Sequence, residues 1–147
     1  MKITICGSIA FYDNMIAVKK ELETRGHEVL LPPTHVKDKN GNLITVAQYY
    51  EIRKNVDAKE QWIWERKKEA ILAHYTKIEE CDVILVLNSD KNDIAGYIGS
   101  NTLMEMGLAL YLQKPIYLFN EIPVFSATEE VRGMQPILLA GNLAEIK

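Results

Sequence analysis

The stretch from Val83 to Leu87 reads V-I-L-V-L and decides the fold, because an apolar run without alternation is typical of a β-strand covered on both faces. I-Y-L-F at Ile116–Phe119 is a second run without alternation, and the short β-branched run K-I-T-I-C at Lys2–Cys6 ends at the turn Gly7-Ser8. Strands of this kind occur in parallel sheets that helices cover on both sides. The sequence therefore predicts an α/β fold.

Helical patterns alternate with these strands. One runs from Asp13 to Gly26, and another from Asn101 to a stop at Lys114-Pro115. His27–Leu31 supplies a further strand, and we expect residues 143–146 to form a short edge strand. Strand and helix in alternation imply right-handed crossovers. We predict a flavodoxin-like, doubly wound parallel sheet of about five strands in the order 2-1-3-4-5.

The length of 147 residues fits one domain, 1–147, with a helical insert at about 34–80. Within the insert, residues 34–42 are expected to form an exposed turn, and Ile44–Asn55 and Ala58–Glu80 are expected to be helical. The insert also carries a set of aromatic residues, Tyr49, Tyr50, Trp62 and Trp64. They either seal the core beneath the helices or form a lid or a subunit interface, and the second alternative predicts a homo-oligomer, a dimer or larger.

The composition narrows the class of partner. A formal net charge of -3 gives no basic surface for nucleic acid, and no apolar run approaches the length of about 20 residues that spans a membrane. Cys6 and Cys81 are interpreted as reduced core residues, and no signal peptide precedes the first strand. We therefore expect a cytoplasmic protein with a small-molecule partner.

Glu105 is the only charged residue between Asp93 and Lys114. On a helix it shares a largely apolar face with Asn101, Thr102, Leu108, Ala109 and Leu112. A buried carboxylate without a partner is costly, so Glu105 either pairs with a core Lys, Arg or Tyr or lines a cleft where a ligand meets it. Its position near the start of the helix favours the cleft, since helix dipoles stabilise negative charge there.

The loop before this helix, G-Y-I-G-S-N from Gly96 to Asn101, ends at a helix start. The segment offers backbone amides and hydroxyls that could bind a phosphate or a sugar oxygen. A purely structural turn from loop to helix explains the same residues equally well. The chain contains neither G-x-G-x-x-G after a strand nor the G-x-x-x-x-G-K-[ST] phosphate loop. The sequence thus lacks the fingerprints of dinucleotide and nucleoside triphosphate sites.

Three segments together resemble the nucleoside 2-deoxyribosyltransferase-like superfamily, which includes the deoxynucleoside 5′-monophosphate N-glycosidases. They are C-G-S-I, E-C-D-V-I-L-V-L and G-Y-I-G-S-N-T-L-M-E-M-G-L-A-L-Y-L-Q-K-P-I-Y-L, and the resemblance covers roughly residues 2–119. It implies a glutamate nucleophile at Glu105, which attacks the anomeric carbon without a metal or redox cofactor. It also implies that Gly7 and Ser8 lie against the sugar or its 5′ substituent, that Gly99, Ser100 and Asn101 lie beside it, and that Tyr97 either stacks on the base or packs in the core.

The chain departs from the family at two aspartate positions. Transferases carry an aspartate where this chain has Gly99, and a second family aspartate corresponds to His74. His74 is either a general acid or a structural histidine. Asp93, or Asp90, either donates the proton from the loop or belongs to a solvated turn.

These residues lead to two functional hypotheses. The first is an enzyme of the N-glycosidic bond, either a nucleoside deoxyribosyltransferase or a deoxynucleotide N-glycosidase, with Glu105 as nucleophile and His74 and Asp93 as further catalytic candidates. The alternative is a non-catalytic nucleotide-binding or sensing domain of the same fold. The sequence leaves open the base, the sugar, the 5′-phosphate and the choice between transfer and hydrolysis.

Overall fold

The computed structural model describes residues 1–56 and 59–147, along which strands and helices alternate. In chain order the strands and α-helices are β1 (Lys2–Cys6), α1 (Tyr12–Thr24), β2 (Glu28–Leu30), β3 (His35–Lys37), β4 (Leu43–Thr45), α2 (Val46–Asn55), α3 (Gln61–Glu80), β5 (Val83–Val86), α4 (Ser100–Tyr111), β6 (Ile116–Leu118), α5 (Thr128–Gly133) and β7 (Ile137–Leu138). Short 3-10 helices follow β1, at Ile9–Phe11, and β7, at Leu143–Glu145. None of the described helices combines the length and the apolar character that a membrane crossing requires.

Five of the strands form one sheet in the order β2-β1-β5-β6-β7. Every neighbouring pair is parallel, and β1 lies beside β5 with Cys6 opposite Val86. Counted among the strands of this sheet alone, the order is 2-1-3-4-5. The predicted flavodoxin-like parallel sheet is therefore confirmed.

The predicted edge strand at residues 143–146 is wrong. The strand that pairs with β6 is β7, and residues 143–145 form a 3-10 helix. Leu143 and Ile146 are both buried at a spacing of three residues, which suits a helical turn rather than a strand. Both residues of β7, Ile137 and Leu138, are exposed, so the edge strand leaves no burial pattern in the sequence.

The described residues pack into two compact units. The first contains Met1–Leu31 and Lys77–Lys147, with the whole parallel sheet, and the second contains Pro32–Thr76. The second unit includes α2 and an antiparallel pair, β3 with β4, in the region where only an exposed turn and a helix were predicted. The next helix begins at Gln61, whereas its predicted start, Ala58, lies outside the described residues. A single domain with a helical insert at 34–80 stays a prediction.

The aromatic residues of the second unit divide between its core and its surface. Tyr49 is buried, and its hydroxyl donates to the Ile63 carbonyl oxygen at 2.6 Å. The rings of Tyr50 and Trp62 meet it edge-on, with centroids at 5.7 and 6.4 Å. Trp64 is exposed. Tyr49 thus has the core position that one alternative gave it, while the predicted subunit interface and homo-oligomer stay predictions.

In the first unit, α4 turns a buried stripe toward β5 and β6. Its buried side chains are Thr102, Glu105, Met106 and Ala109, whose spacing of three and four residues puts them on one face. Lys114 follows the helix and donates through Nζ to the carbonyl oxygens of Glu79 and Cys81 at the end of α3. The K-P-I segment therefore joins two elements through a lysine that satisfies free carbonyl groups.

A buried amide ties the loop between β5 and α4 to the loop after β6. The Asn88 Nδ2 donates to the carbonyl oxygens of Gly96 at 3.3 Å and Glu121 at 2.9 Å. The Asn88 Oδ1 accepts from the Asn120 N–H at 2.8 Å, and the Asn120 side-chain amide donates back to the Asn88 carbonyl oxygen at 3.0 Å. Because Asn88 has no exposed surface, these bonds face little competition from water and fix the path of the loop.

Gly96 permits this close approach. Its φ of +66° lies in the left-handed region, and a Cβ atom there would stand 2.8 Å from the Glu121 carbonyl oxygen and 3.0 Å from the Asn88 Nδ2. Only glycine combines that conformation with that lack of space.

We expect Gly96→Ala to lower the free energy of unfolding by about 2–4 kcal/mol, since left-handed strain and a clash with a backbone oxygen add together. Gly26→Ala is the matched control: Gly26 has a φ of +86°, and a Cβ atom there would have nothing within 4 Å, so strain alone applies, roughly 1–2 kcal/mol. Urea unfolding measures both losses. Equal losses of unfolding free energy in Gly96→Ala and Gly26→Ala would contradict the tight contact at Gly96.

Candidate active site

The carboxyl ends of β1 and β5 lie side by side at the switch point of the sheet. The Leu87 N–H donates to the Cys6 carbonyl oxygen at 2.8 Å, directly before the turn Gly7-Ser8. In open parallel sheets, ligands bind outside the carboxyl ends of the strands at such a point. This edge is therefore where a site is expected.

The packing of the protein itself accounts for Gly7. A Cβ atom at this position would lie 2.9 Å from the Leu87 carbonyl oxygen and 2.9 Å from the Met15 Cε. The position excludes a side chain whether or not a ligand is bound. The predicted contact of Gly7 with a substrate stays a prediction.

Glu105 faces inward on α4, as its spacing predicts, and only 9% of it is exposed. The helix begins at Ser100 rather than at Asn101, so Glu105 is its sixth residue. Helix dipoles act mainly within the first turn, so the expected stabilisation by the helix N-terminus does not apply at this depth. The charge of Glu105 needs hydrogen-bond donors instead.

The thiol of Cys6 is one such donor. Cys6 ends β1, and its Sγ lies within 4.8 Å of a Glu105 carboxylate oxygen, with the two side chains hydrogen bonded. Burial raises the pKa of the Cys6 thiol well above its ordinary value, and the negative charge of Glu105 raises it further. The thiol therefore stays protonated at neutral pH and donates its S–H to the carboxylate. Sequence reasoning placed Cys6 in the core but missed this contact.

Lys91 was also missed, and it connects two of the predicted site residues. Its Nζ donates to the Ser8 Oγ at 2.8 Å and lies 5.1 Å from the centre of the Tyr97 ring, a cation–π contact. Ser8 also caps the short 3-10 helix that follows it, through a bond from the Ala10 N–H at 3.4 Å. The signal in the sequence was a lysine in the loop that follows the central strand at the binding edge.

Tyr97 has the core position that one of the two alternatives gave it, and its stacking on a base stays a prediction. Its ring is half-buried and packs against the core of the first unit, while Lys91 lies over it. A Cβ atom on Gly99 would be 3.3 Å from the Tyr97 hydroxyl oxygen, so the ring fills the space beside that glycine. Ser100 and Asn101 follow as exposed residues in the first turn of α4. Their contact with a substrate stays a prediction.

Asp93 lies in a tight turn. The Lys91 and Ile94 backbones exchange hydrogen bonds of 3.1 and 2.9 Å, and Asn92 and Asp93 between them have φ values of 52° and 58°. Asn and Asp tolerate this conformation better than other residues with a side chain. Asp93 is exposed there, as the solvated-turn alternative requires, and its catalytic role stays a prediction.

Asp90 and His74 occupy different settings. The Asp90 Oδ1 accepts from the Gly96 N–H at 2.9 Å, which gives this carboxylate a role in shaping the loop. His74 is buried on the part of α3 that belongs to the second unit. Its role as a general acid stays a prediction.

Comparisons with known proteins bear on the fold. The sequence matches no protein-family model and no curated protein. Among solved structures, a 2-deoxyribosyltransferase from the psychrotolerant bacterium Bacillus psychrosaccharolyticus matches 94% of this chain and 98% of its own, with a TM-score of 0.51 and 16% identity. The two chains share a fold. The predicted resemblance to the nucleoside 2-deoxyribosyltransferase-like superfamily is thereby supported at the level of the fold.

We expect Cys6→Ala to lower the free energy of unfolding by about 1–3 kcal/mol more than Cys81→Ala, because it takes a donor from a buried carboxylate. Cys81 is the matched control, since it is also buried but donates to the neutral Ile78 carbonyl oxygen. Urea unfolding at neutral pH compares the two variants. When Glu105 is replaced by Gln, the difference in lost unfolding free energy between Cys6→Ala and Cys81→Ala should become smaller. If that difference stays the same, the thiol–carboxylate bond is contradicted.

The same bond predicts a pH dependence. Folding raises the pKa of the Cys6 thiol. The protonated thiol therefore contributes fully to stability at a pH below the thiol pKa of the unfolded chain, and this contribution is lost as the pH rises through the thiol pKa of the folded protein. The wild-type free energy of unfolding should therefore fall above about pH 8.5, and more steeply than that of Cys6→Ala. If the free energy of unfolding falls equally steeply with pH in wild type and in Cys6→Ala, the raised pKa of Cys6 is contradicted.

Proposed function

We propose that the protein cleaves the N-glycosidic bond of 2′-deoxynucleosides or their 5′-monophosphates, with Glu105 as the nucleophile. The observation that carries the proposal is a carboxylate, nine-tenths buried, beside the carboxyl end of β1. The fold shared with a 2-deoxyribosyltransferase supports the class of substrate. Ligand sites at this edge of parallel sheets support the location.

The reaction proceeds in two displacements. A carboxylate oxygen of Glu105 attacks C1′, the C1′–N bond breaks, and its electron pair leaves with the base, which takes up a proton. The product is a glycosyl ester of Glu105. In the second step a base nitrogen or a water molecule attacks C1′, its proton passes to the group that protonated the departing base, the ester bond breaks, and the Glu105 carboxylate is restored. A base as acceptor gives transfer, and water gives hydrolysis.

The surroundings of Glu105 suit this chemistry. A carboxylate offers about four lone-pair positions on its two oxygens, and a thiol is a weak donor, so the Cys6 bond orients the group without neutralising it. Positive charge develops at C1′ in an oxocarbenium-like transition state. A carboxylate in a partly dehydrated site stabilises that charge more strongly than one in water does.

The remaining predicted residues take supporting roles in the proposal. Gly7 and Ser8 border the sugar or its 5′ substituent, the segment Gly99–Asn101 lies beside it, and the exposed side of Tyr97 meets the base. The proton for the departing base comes from His74 or Asp93. His74 is buried and Asp93 exposed, so the two candidates would respond differently to solvent and salt.

We expect Glu105→Gln to lower the rate of base release by at least about 1,000-fold, because an amide cannot form the glycosyl ester. The assay incubates the protein with the common deoxynucleosides and their monophosphates and measures free base by chromatography. Glu79→Gln, at an exposed glutamate of α3, is the matched control and should keep the wild-type rate. Equal activity in wild type and Glu105→Gln would reject the proposal.

One observation favours the alternative of a non-catalytic sensor. Gly99 stands where transferases of the superfamily carry an aspartate, and the Tyr97 ring fills the space beside it. A sensor should gain thermal stability from a nucleotide that stays intact through long incubation, whereas an enzyme should release its base over the same period. A thermal-shift series with chromatography of the same samples separates the two functions.

A further inference from the structure

We propose that a surface of the second unit binds an acidic peptide segment of a partner protein, a segment that combines carboxylates with apolar side chains. The surface consists of an apolar groove along α2 and of two cations, Arg53 and Lys67, beside the ring of Tyr50. All of these residues lie within residues 32–76, whereas Glu105 belongs to the first unit. The inference therefore goes beyond the proposed reaction.

The two cations of this surface converge on one aromatic ring. The Arg53 Cζ lies 4.5 Å from the centre of the Tyr50 ring, and the Lys67 Nζ lies 5.8 Å from it. Arg53 is in the last turn of α2 and Lys67 is in α3, so the ring gathers positive charge from two helices. The two charged groups are at most about 10 Å apart, roughly one Debye length at 0.1 M salt, so their charges reinforce one positive potential.

No carboxylate neutralises this pair of cations within residues 1–56 and 59–147. Lys54, on the same helix as Arg53, shows the contrast, since it pairs with Glu51 at 2.8 Å. Arg53 and Lys67 are both half-buried, so each has lost part of its contact with water. Partly dehydrated charges are stabilised by an ionic partner more than fully hydrated ones are. The pair is thus available to an anionic group from another molecule.

An apolar groove lies next to the cations, and Tyr50 forms part of its wall. The groove has a volume of about 600 Å³, and Ile44, Ala47 and Ile52 provide its apolar lining. Among the described residues that line it, Glu51 alone is charged, and its carboxylate is already paired with a lysine. A groove of this size holds a few apolar side chains, as a short peptide segment presents them.

The combination of cations and groove selects the chemistry of the partner. Residues 32–76 contain eight Lys and Arg residues and six Asp and Glu residues, so this region is basic within a chain of net charge -3. A segment that places apolar side chains in the groove and carboxylates beside Arg53 and Lys67 complements both features. Phosphate groups alone would leave the apolar wall uncovered, and a basic segment would be repelled.

Fluorescence anisotropy with labelled peptides of about eight residues tests the surface, because an extended peptide of that length spans α2. One peptide alternates glutamate with leucine, a second alternates glutamate with serine, and a third alternates lysine with leucine. We expect the first to bind with the lowest Kd, since only it supplies carboxylates and apolar side chains together. The double variant Arg53→Gln/Lys67→Gln should raise that Kd by about tenfold or more, and added salt should raise it in wild type.

The matched control is Lys20→Gln/Arg132→Gln, which removes the same charge from exposed positions of the first unit and should leave the Kd unchanged. The charge-reversed variant Arg53→Glu/Lys67→Glu should instead prefer the peptide of lysine and leucine, which also shows that the surface is folded. An undetectable affinity for the peptide of glutamate and leucine would overturn the proposal, as would an equal change of Kd in the control. A dimer in sedimentation velocity that Arg53→Gln/Lys67→Gln dissociates would assign the surface to a second copy of the chain and would also overturn it.

Discussion

A buried carboxylate is the constraint on which the candidate site depends. Removing a charged group from water costs several kcal/mol, even after the surrounding protein relaxes. The chain keeps Glu105 on a buried stripe of α4 and brings the S–H of Cys6 to it from the end of β1. The bond from this thiol holds the carboxylate in position. A buried carboxylate of this kind interacts more favourably with a positively charged transition state than with its surroundings in the free protein.

Further contacts at the carboxyl edge of the sheet hold two loops in fixed positions around the Glu105 carboxylate. Gly7 lets the end of β1 approach the Leu87 carbonyl oxygen without an intervening side chain. Asn88 uses its side chain and backbone to join the loop after β5 to the loop after β6. Lys91 then reaches from the first of these loops to Ser8. The site is thus built on strand ends and tied loops, an arrangement that limits how far its polar groups can drift.

The sequence predicted those features that depend on local pattern. Apolar runs without alternation indicated β5 and β6, and a short β-branched run before a glycine turn indicated β1. The spacing along α4 indicated the inward direction of Glu105. The contacts that make the site depend instead on how distant segments pack. Cys6 and Glu105 are far apart in the chain, and nothing near either residue encodes their bond. Lys91 is similar, since only the pairing of β1 with β5 brings it to Ser8. Asn88 looked like an ordinary loop residue because its partners lie after another strand. The short edge strand β7 has exposed side chains, so no burial pattern marked it.

Trapping the intermediate is the most direct test of the role of Glu105. The wild-type protein would be mixed with deoxynucleosides and their 5′-monophosphates, quenched in acid during turnover, digested and examined by mass spectrometry. The account predicts that the peptide containing Glu105 gains a deoxyribosyl group, with or without its phosphate, and that fragmentation places the group on the Glu105 side chain. Base release with the Glu105 peptide unmodified throughout turnover, or an adduct on another residue, would contradict it.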